Sequence, residues 1–446
     1  MIQQLLRDGP VLLAALLAVA GLSLVFVRSP PAAIWSLVGV FATTQAIVPP
    51  LVLAVTLGGI TLHALDLVAG LMFAIGVFWL LTRPTPATVS GPLLALSIFF
   101  VIHVAWGTAA FGLQVAVNSS RLWLYLLGPL VYCAQAHYAW SRRSFLPLIS
   151  GAAVLAAFAL IQIARNGLYG ASELVYIRGE LIDGRPVSAA GALLIIQCLL
   201  IALAGRFVRS FLWLIVILSL GASVVLLQHR TVWIVALLVG AVAYVRWARV
   251  AIYVNERAAA VAASAVLLIS PLILTLVASS SAFGDSIQTA TGQESTLGWR
   301  TASWGSLIEA HSSPQEVALG LPAGTSLERQ IEDRTATQSP HSVYVDALLS
   351  FGILGPLALL WLWTLVIRQR HHAAAVLGFS AVAVVLLVAS QAVYGITNML
   401  GPLQGALLGM LLQAAWIIRR DSRLVSPVDR SADEPPSTTA RAPMRR

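Results

Sequence analysis

The 446-residue chain is 59% hydrophobic and 10% charged, with a net charge of +9 and a mean hydropathy of +0.87. This composition excludes an ordinary soluble globule, and apolar runs near span length recur too widely to be one signal peptide or anchor. All 27 basic residues are arginine, and they fall between apolar runs rather than in one stripe, a pattern of topology markers that argues against nucleic acid as a partner.

In chain order, runs near 11–27, 64–82, 92–112 and 121–140 read as spans. The stretch 33–62 is broken by Pro49-Pro50 and contains Gly58-Gly59, so it reads as one bent span or two short pieces. Arg142-Arg143, Arg206 to Arg209, Arg246 to Arg257, Arg368 with Arg370, and Arg419 onward mark the cytoplasmic side. Alternation then pairs 145–164 with 187–205, leaving 165–186 outside, and pairs 211–228 with 231–247, leaving Arg230 at an outer turn. The run near 259–280 leads out and that near 342–367 leads back; runs near 373–393 and 396–418 follow. Cys133 and Cys198 lie inside apolar runs, where plain packing is the expected role.

The chain is therefore expected to be an all-α polytopic integral membrane protein of about 12 transmembrane helices, within a range of roughly 11 to 14. Its organisation is N-terminal helices over 1–280, one large external loop over 281–341, C-terminal helices over 342–420 and a disordered cytoplasmic tail over 421–446. Membrane lipids surround it.

Function is sought where ionisable groups stand at the membrane against cost. Arg230 interrupts the apolar stretch VVLLQHRTVWIVALLVG, either as a functional cation or as a solvated turn. Arg300 lies in STLGWRTASWGSLIEAH, an expected amphipathic helix capped by Thr296, with Trp299, Trp304, Leu307 and Ile308 available for an interfacial face. Its alternative is an arginine snorkelling beside tryptophans. Arg178 and Arg185 face the same side, with Glu173, Glu180 and Asp183 close enough in sequence to pair with them in a solvated loop.

The stretch SPHSVYVDALLSFGILG places His341 at the entrance to an apolar run. Ser339 is expected as the N-cap and Pro340 as the first helical residue, so His341 would stand in the first turn. There the positive end of the helix dipole would disfavour the imidazolium. Gly352 and Gly355 would leave a smooth patch for helix packing. The alternative for His341 is an interfacial hydrogen bonder.

These residues carry a resemblance. HSVYVDALLSFGILG resembles the bacterial O-antigen ligase pattern of His, then Asn, Ser or Gln, nine residues, Gly, two residues, and Gly, Thr or Tyr, with His341, Ser342, Gly352 and Gly355 in register. QHRT around Arg230 is similar to the T-x-R turn of that family, with Gln228-His229 departing from its commonest form. LGWR, with Leu297, Gly298 and Arg300, is similar to the L-G-x-R segment that opens its periplasmic loop. The similarity in order and topology runs over about 175–420 and points to the O-antigen ligase and polymerase superfamily.

The resemblance implies a GT-C type glycosyltransferase of the bacterial inner membrane, multi-pass, with its active site facing the periplasm. The donor would be an undecaprenyl-diphosphate-linked glycan and the acceptor a hydroxyl of the lipid A-core or another polymer. His341 would be the base, and Arg230, Arg300 and one of Arg178 and Arg185 would hold the diphosphate; Ser342, Gly352, Gly355 and Trp304 would support them. Attack opposite the diphosphate would invert the anomeric centre. No D-x-D pair lies on an outward loop and no His/Glu cluster has metal-ligand spacing, so no metal or other cofactor is expected. No Walker glycine loop suggests ATP-driven export. Two other readings are a repeat-unit polymerase with the same donor chemistry and a lipid or solute transporter without chemistry. The single long external loop, with arginines on one side, argues against the transporter.

Overall fold

Among the described residues most of the apolar runs are helical, and a hairpin separates the second helix from the third. The computed structural model describes residues 17–45, 54–57, 60–166, 174–177, 180–183, 186–204, 211–227, 229, 231–240, 296–331, 334–336 and 339–416. Helix α1 (Leu17–Arg28) and α2 (Pro30–Gln45) lead into strands β1 (Ala54–Leu57) and β2 (Ile60–His63), an antiparallel pair with Val55 opposite Leu62. The stretch 33–62 therefore holds one helix and a hairpin rather than one bent or two short spans. Then come α3 (Ala64–Thr82), α4 (Ala87–Phe111), α5 (Leu113–Gln135), a 3-10 turn at Arg142–Phe145, and α6 (Leu146–Asn166).

A second antiparallel hairpin, β3 (Leu174–Ile177) with β4 (Glu180–Asp183), precedes α7 (Ala189–Ala204) and α8 (Phe211–Leu226). Helix α9 (Thr231–Gly240) follows α8, and its Trp233 Nε1–H donates back to Val224 O of α8 at 3.0 Å. The segment from residue 296 contributes α10 (Thr296–Ala310), α11 (Pro314–Leu319) and a third hairpin, β5 (Arg329–Ile331) with β6 (Arg334–Ala336). The chain continues through α12 (Val343–Phe351), α13 (Leu354–Arg368), α14 (Arg370–Leu377), α15 (Ala381–Thr397) and α16 (Pro402–Trp416). The described residues are mostly helical, but three two-stranded hairpins correct the purely α expectation. The span expected near 259–280 and the tail over 421–446 lie outside the described residues.

Among the described residues, three helices are long and apolar enough to cross a membrane: Ala64–Thr82, Ala87–Phe111 and Arg142–Arg165. A fourth span is made if Arg370–Leu377 and Ala381–Thr397 count as one, bent by 109°. The bend is where one straight run near 373–393 was expected; Gly378, at φ 70°, ends α14 in the left-handed conformation. Shorter apolar helices of 10–17 residues include α1, α7, α8, α9 and α13.

Helix α5 packs against α3, α4 and α16, and the core gathers around it. Two glycines one turn apart let α16 lie on its backbone: a Cβ on Gly405 would stand 2.2 Å from Leu126 O, and one on Gly409 would stand 2.4 Å from Leu130 O. One end of the α3–α5 pair is pinned by Asp66. Its carboxylate accepts from His63 N–H at 2.8 Å and Tyr125 O–H at 2.6 Å, and pairs with Arg121 Nε at 3.2 Å. Arg121 also donates to Thr61 O, which ties the β1–β2 hairpin to the bundle.

The expected continuous span over 342–367 is broken at Gly352, which has φ 64° and ends α12. The break receives α11. Ile353 N–H donates to Val317 O at 2.8 Å, Leu321 N–H donates to Leu349 O at 2.6 Å, and a Cβ on Gly352 would lie 2.3 Å from Ala318 O. Gly355 does not share a smooth face with it; a Cβ there would meet Ala347 O of α12 at 2.5 Å. The pair of glycines thus makes a fold-back and a docking notch, not a patch for a parallel neighbour.

Gly352→Ala should combine a left-handed penalty of about 1–2 kcal/mol with a steric clash. Gly39→Ala in α2, where nothing lies within 4 Å of the added methyl, is the comparator. Thermal unfolding of detergent-solubilised protein should be lowered by several degrees for the first and unchanged or slightly raised for the second; equal stabilities would show that the notch is not needed.

Candidate active site around His341

Helix α10 presents Arg300, Ser303, Trp304 and Leu307 at helical spacing on one face. Ser303 and Leu307 are buried, whereas Ile308 is exposed, so the set Trp299, Trp304, Leu307 and Ile308 expected to share one interfacial face is divided, with Leu307 turned inward. Trp304 Nε1–H donates to Pro340 O at 2.7 Å. This bond brings α10 to the residue preceding His341.

His341 itself is the one non-glycine residue with positive φ, 53°, among the described residues. The left-handed conformation costs about 1–2 kcal/mol for a residue with a Cβ, so its neighbours must hold it. They do so on both sides. His341 N–H donates to Ser339 Oγ at 3.3 Å, and the carbonyl of Pro340 takes the Trp304 bond. Ser342, extended at φ −140°, is the N-cap of α12; its Oγ accepts from Val345 N–H at 3.5 Å and donates to Gly395 O at 3.4 Å.

The helix therefore starts three residues later than expected. Ser339 does not cap it, Pro340 is not its first residue, and His341 stands before the cap rather than in the first turn. The reason is local: a left-handed residue followed by an extended serine cannot propagate helical backbone, and Ser342 offers the same capping oxygen as Ser339. His341 is still held below the ordinary histidine range, by burial first, then by the charges of Arg300 and Arg329. The dipole of α12 is not needed for this.

Arg300 Nη1–H donates to Thr397 O at 2.6 Å, at the C-terminal end of α15, where a cation is favourable. Thr397 Oγ1 in turn shares a hydrogen bond of 2.8 Å with Thr231 Oγ1 and accepts from Asn398 Nδ2 at 3.0 Å. Thr231 opens α9 and directly follows Arg230 in the chain. On the other side of Arg230, buried His229 bonds through Nε2 to Val187 O at 2.8 Å, at the approach to α7. Arg230, Arg178 and Arg185 themselves lie outside the described residues.

Two residues were not singled out from the sequence. Arg329 on β5 is buried; its Nε donates to Ser303 Oγ at 2.5 Å and its Nη1 to Leu327 O at 2.8 Å. In the sequence it is one of three arginines in an acidic loop, and nothing in spacing separates it from Arg334. Asp346 on α12 is also buried, with Ser350 as a hydrogen-bond partner. Its signal was available: an acid inside an apolar run. Among the described residues, no three His, Cys, Asp or Glu side chains are placed to hold a metal ion.

The chemistry on offer is an imidazole whose protonation is disfavoured by burial and by the charges of Arg300 and Arg329, guanidinium groups of the kind able to offset developing negative charge. No family model matches the chain, and no curated protein matches it.

If burial and the two arginines depress His341, its ring should remain reactive towards diethyl pyrocarbonate at pH values where an ordinary histidine is protonated and unreactive. The measurement is the modification rate at His341 against pH, read by peptide mass spectrometry, with a free histidine derivative as the comparison. A midpoint for His341 at or above the ordinary histidine value of about 6.5 would contradict this electrostatic reading.

Proposed function

We propose that this protein is a glycosyltransferase of the bacterial inner membrane that moves a glycan en bloc from undecaprenyl diphosphate to an acceptor hydroxyl on the periplasmic face. The reading favoured is ligation of O-antigen to the lipid A-core, by a GT-C type chain of about 12 spans with one large periplasmic loop. The observation that carries it is the meeting of two separate motifs: the Trp304–Pro340 bond sets the Arg300 helix against the His341 turn. The third motif is drawn to the same place, because Thr231, next to Arg230, shares Thr397 with Arg300.

In the proposed step the acceptor oxygen attacks the anomeric carbon from the face opposite the diphosphate. The new carbon–oxygen bond forms as the old glycosidic bond breaks, and the electron pair leaves with undecaprenyl diphosphate. His341 takes the hydroxyl proton. Arg300 and Arg230, with Arg178 or Arg185, meet the charge that accumulates on the leaving group through bidentate contacts. The arginines supply this charge stabilisation without a divalent ion, and inversion follows from the direction of attack. Ser342 and Trp304 keep the histidine in its left-handed turn, and Gly352 and Gly355 seat the helix behind it.

A deletion strain in which surface glycan and polyprenyl-linked glycan are both resolved by chain length tests this reading. Ligation requires long chains to remain on the carrier and bare acceptor to appear at the surface. Accumulation of single repeats would make the protein a polymerase with the same donor chemistry. Fully capped acceptor beside an unchanged carrier pool would remove glycan transfer altogether.

A further inference from the structure

Arg329 stands between two parts of the site that the proposed reaction uses, yet it belongs to none of the three motifs. Its strand, β5, pairs with β6 in a hairpin in which Arg329 lies opposite Ala336, five residues before His341 in the chain. Its guanidinium is buried, and its Nε bond of 2.5 Å goes to Ser303, itself buried and only one helical turn from Arg300. Ser303 and Trp304 are adjacent in the chain, so neighbouring residues of α10 receive Arg329 and contact the His341 turn. The Nη1 bond to Leu327 O, two residues back, fixes the guanidinium at its own base.

We infer that Arg329 is a positioning residue of this site: a buried guanidinium that clasps β5 to the Arg300 face of α10 through Ser303, one residue from the Trp304 that holds the His341 turn, and so keeps its charge, with that of Arg300, next to that turn. The inference rests on the proposed transferase for what the ring does, but the clasp and the field are properties of the folded chain alone.

A positive field from two sides suits a base that must lose its proton readily before it accepts the acceptor's. The charges reaching the ring are Arg300 from α10 and Arg329 from β5. The elements packed there also carry Tyr344 and Asp346 on α12, Tyr394 on α15, Glu309 on α10 and Arg334 on β6. Tyr344 O–H is directed to Ala392 O at 2.8 Å and Asp346 pairs with Ser350, so both are engaged within the bundle. Among the described residues, removing Arg329 therefore removes one of the two cations whose charge reaches the ring.

The sign follows directly. A cation near the imidazole disfavours the imidazolium, so losing it makes the ring easier to protonate, and the acid limb of any base-dependent rate moves to higher pH. A purely structural arginine would change stability or maximal rate without moving that limb.

The test uses full-length protein in detergent and diethyl pyrocarbonate as the probe, with His341 read among the eight histidines by peptide mass spectrometry. Arg329→Gln should slow modification of His341 at pH 6 by about twofold or more, with the rate recovering at higher pH. Arg329→Lys, which keeps the charge, should stay near the unmodified protein. Ser303→Ala, which releases the clasp while keeping both arginines, should move the pH dependence in the same direction as the glutamine variant, and it decides alone if that variant does not fold. An unmoved pH dependence in Ser303→Ala and in any folded Arg329→Gln overturns the inference.

A parallel assay of transfer from a synthetic undecaprenyl-diphosphate oligosaccharide separates the two claims. A shifted modification profile with no transfer by the unmodified protein would fail the transferase while leaving Arg329 in its role. Transfer with an unshifted profile would do the reverse.

Discussion

Two backbone hydrogen bonds across a broken helix govern where everything else in the candidate site can stand. Ile353 N–H reaches Val317 O and Leu321 N–H reaches Leu349 O, so the ends of α12 and α13 that Gly352 leaves open are completed by α11 and the segment after it. Backbone polar groups at a buried helix break must be paired by protein, and here the segment before α12 supplies the partners. The same segment is fastened to α4, where His103 Nδ1 bonds to Leu321 O at 2.6 Å and Ala323 N–H donates to His103 O at 3.0 Å. A loop held at both places cannot drift, and the helix that precedes it, α10, carries Arg300.

The structure separates groups that carry charge from groups that hold shape. Trp304, Ser339 and Ser342 stabilise an unfavourable left-handed residue, and they do it through Pro340 O, His341 N–H and Gly395 O rather than through the imidazole. The charges of Arg300 and Arg329 reach the ring. Arg300 is in turn anchored at the end of α15 by Thr397 O, which also gathers Thr231. Three chain regions far apart in sequence thus converge through short polar contacts, each of them to a backbone carbonyl or a threonine hydroxyl.

Much of this was legible in the residues, and the failures have physical causes. Apolar periodicity placed α3, α4, α5, α6 and the α8–α9 hairpin close to where they lie, because twenty apolar residues in succession have few other fates. Hydropathy could not see the break at Gly352 or the 109° bend at α14, since both sides of each are apolar and only tertiary contacts reveal the turn. Ser339 and Ser342 are equally good caps by chemistry, and the choice between them is made by the backbone of His341. Short hairpins such as β1–β2 and β3–β4 leave no strong period in four-residue strands. Arg329 was hidden for another reason: burial of a loop arginine depends on Ser303, 26 positions earlier, and no local pattern encodes it.

The central claim is that His341 acts as a base, not as a hydrogen-bonding prop. The direct measurement is single-turnover transfer by purified, reconstituted protein in excess EDTA, comparing the unmodified chain with His341→Ala and His341→Gln at matched donor binding. The account predicts that the unmodified chain transfers glycan at an undiminished rate in chelator and that both variants lose on the order of 10²–10⁴-fold in rate while still binding donor. A glutamine variant that turns over near normally would contradict it, because glutamine can hold a phosphate or a sugar but cannot take the proton.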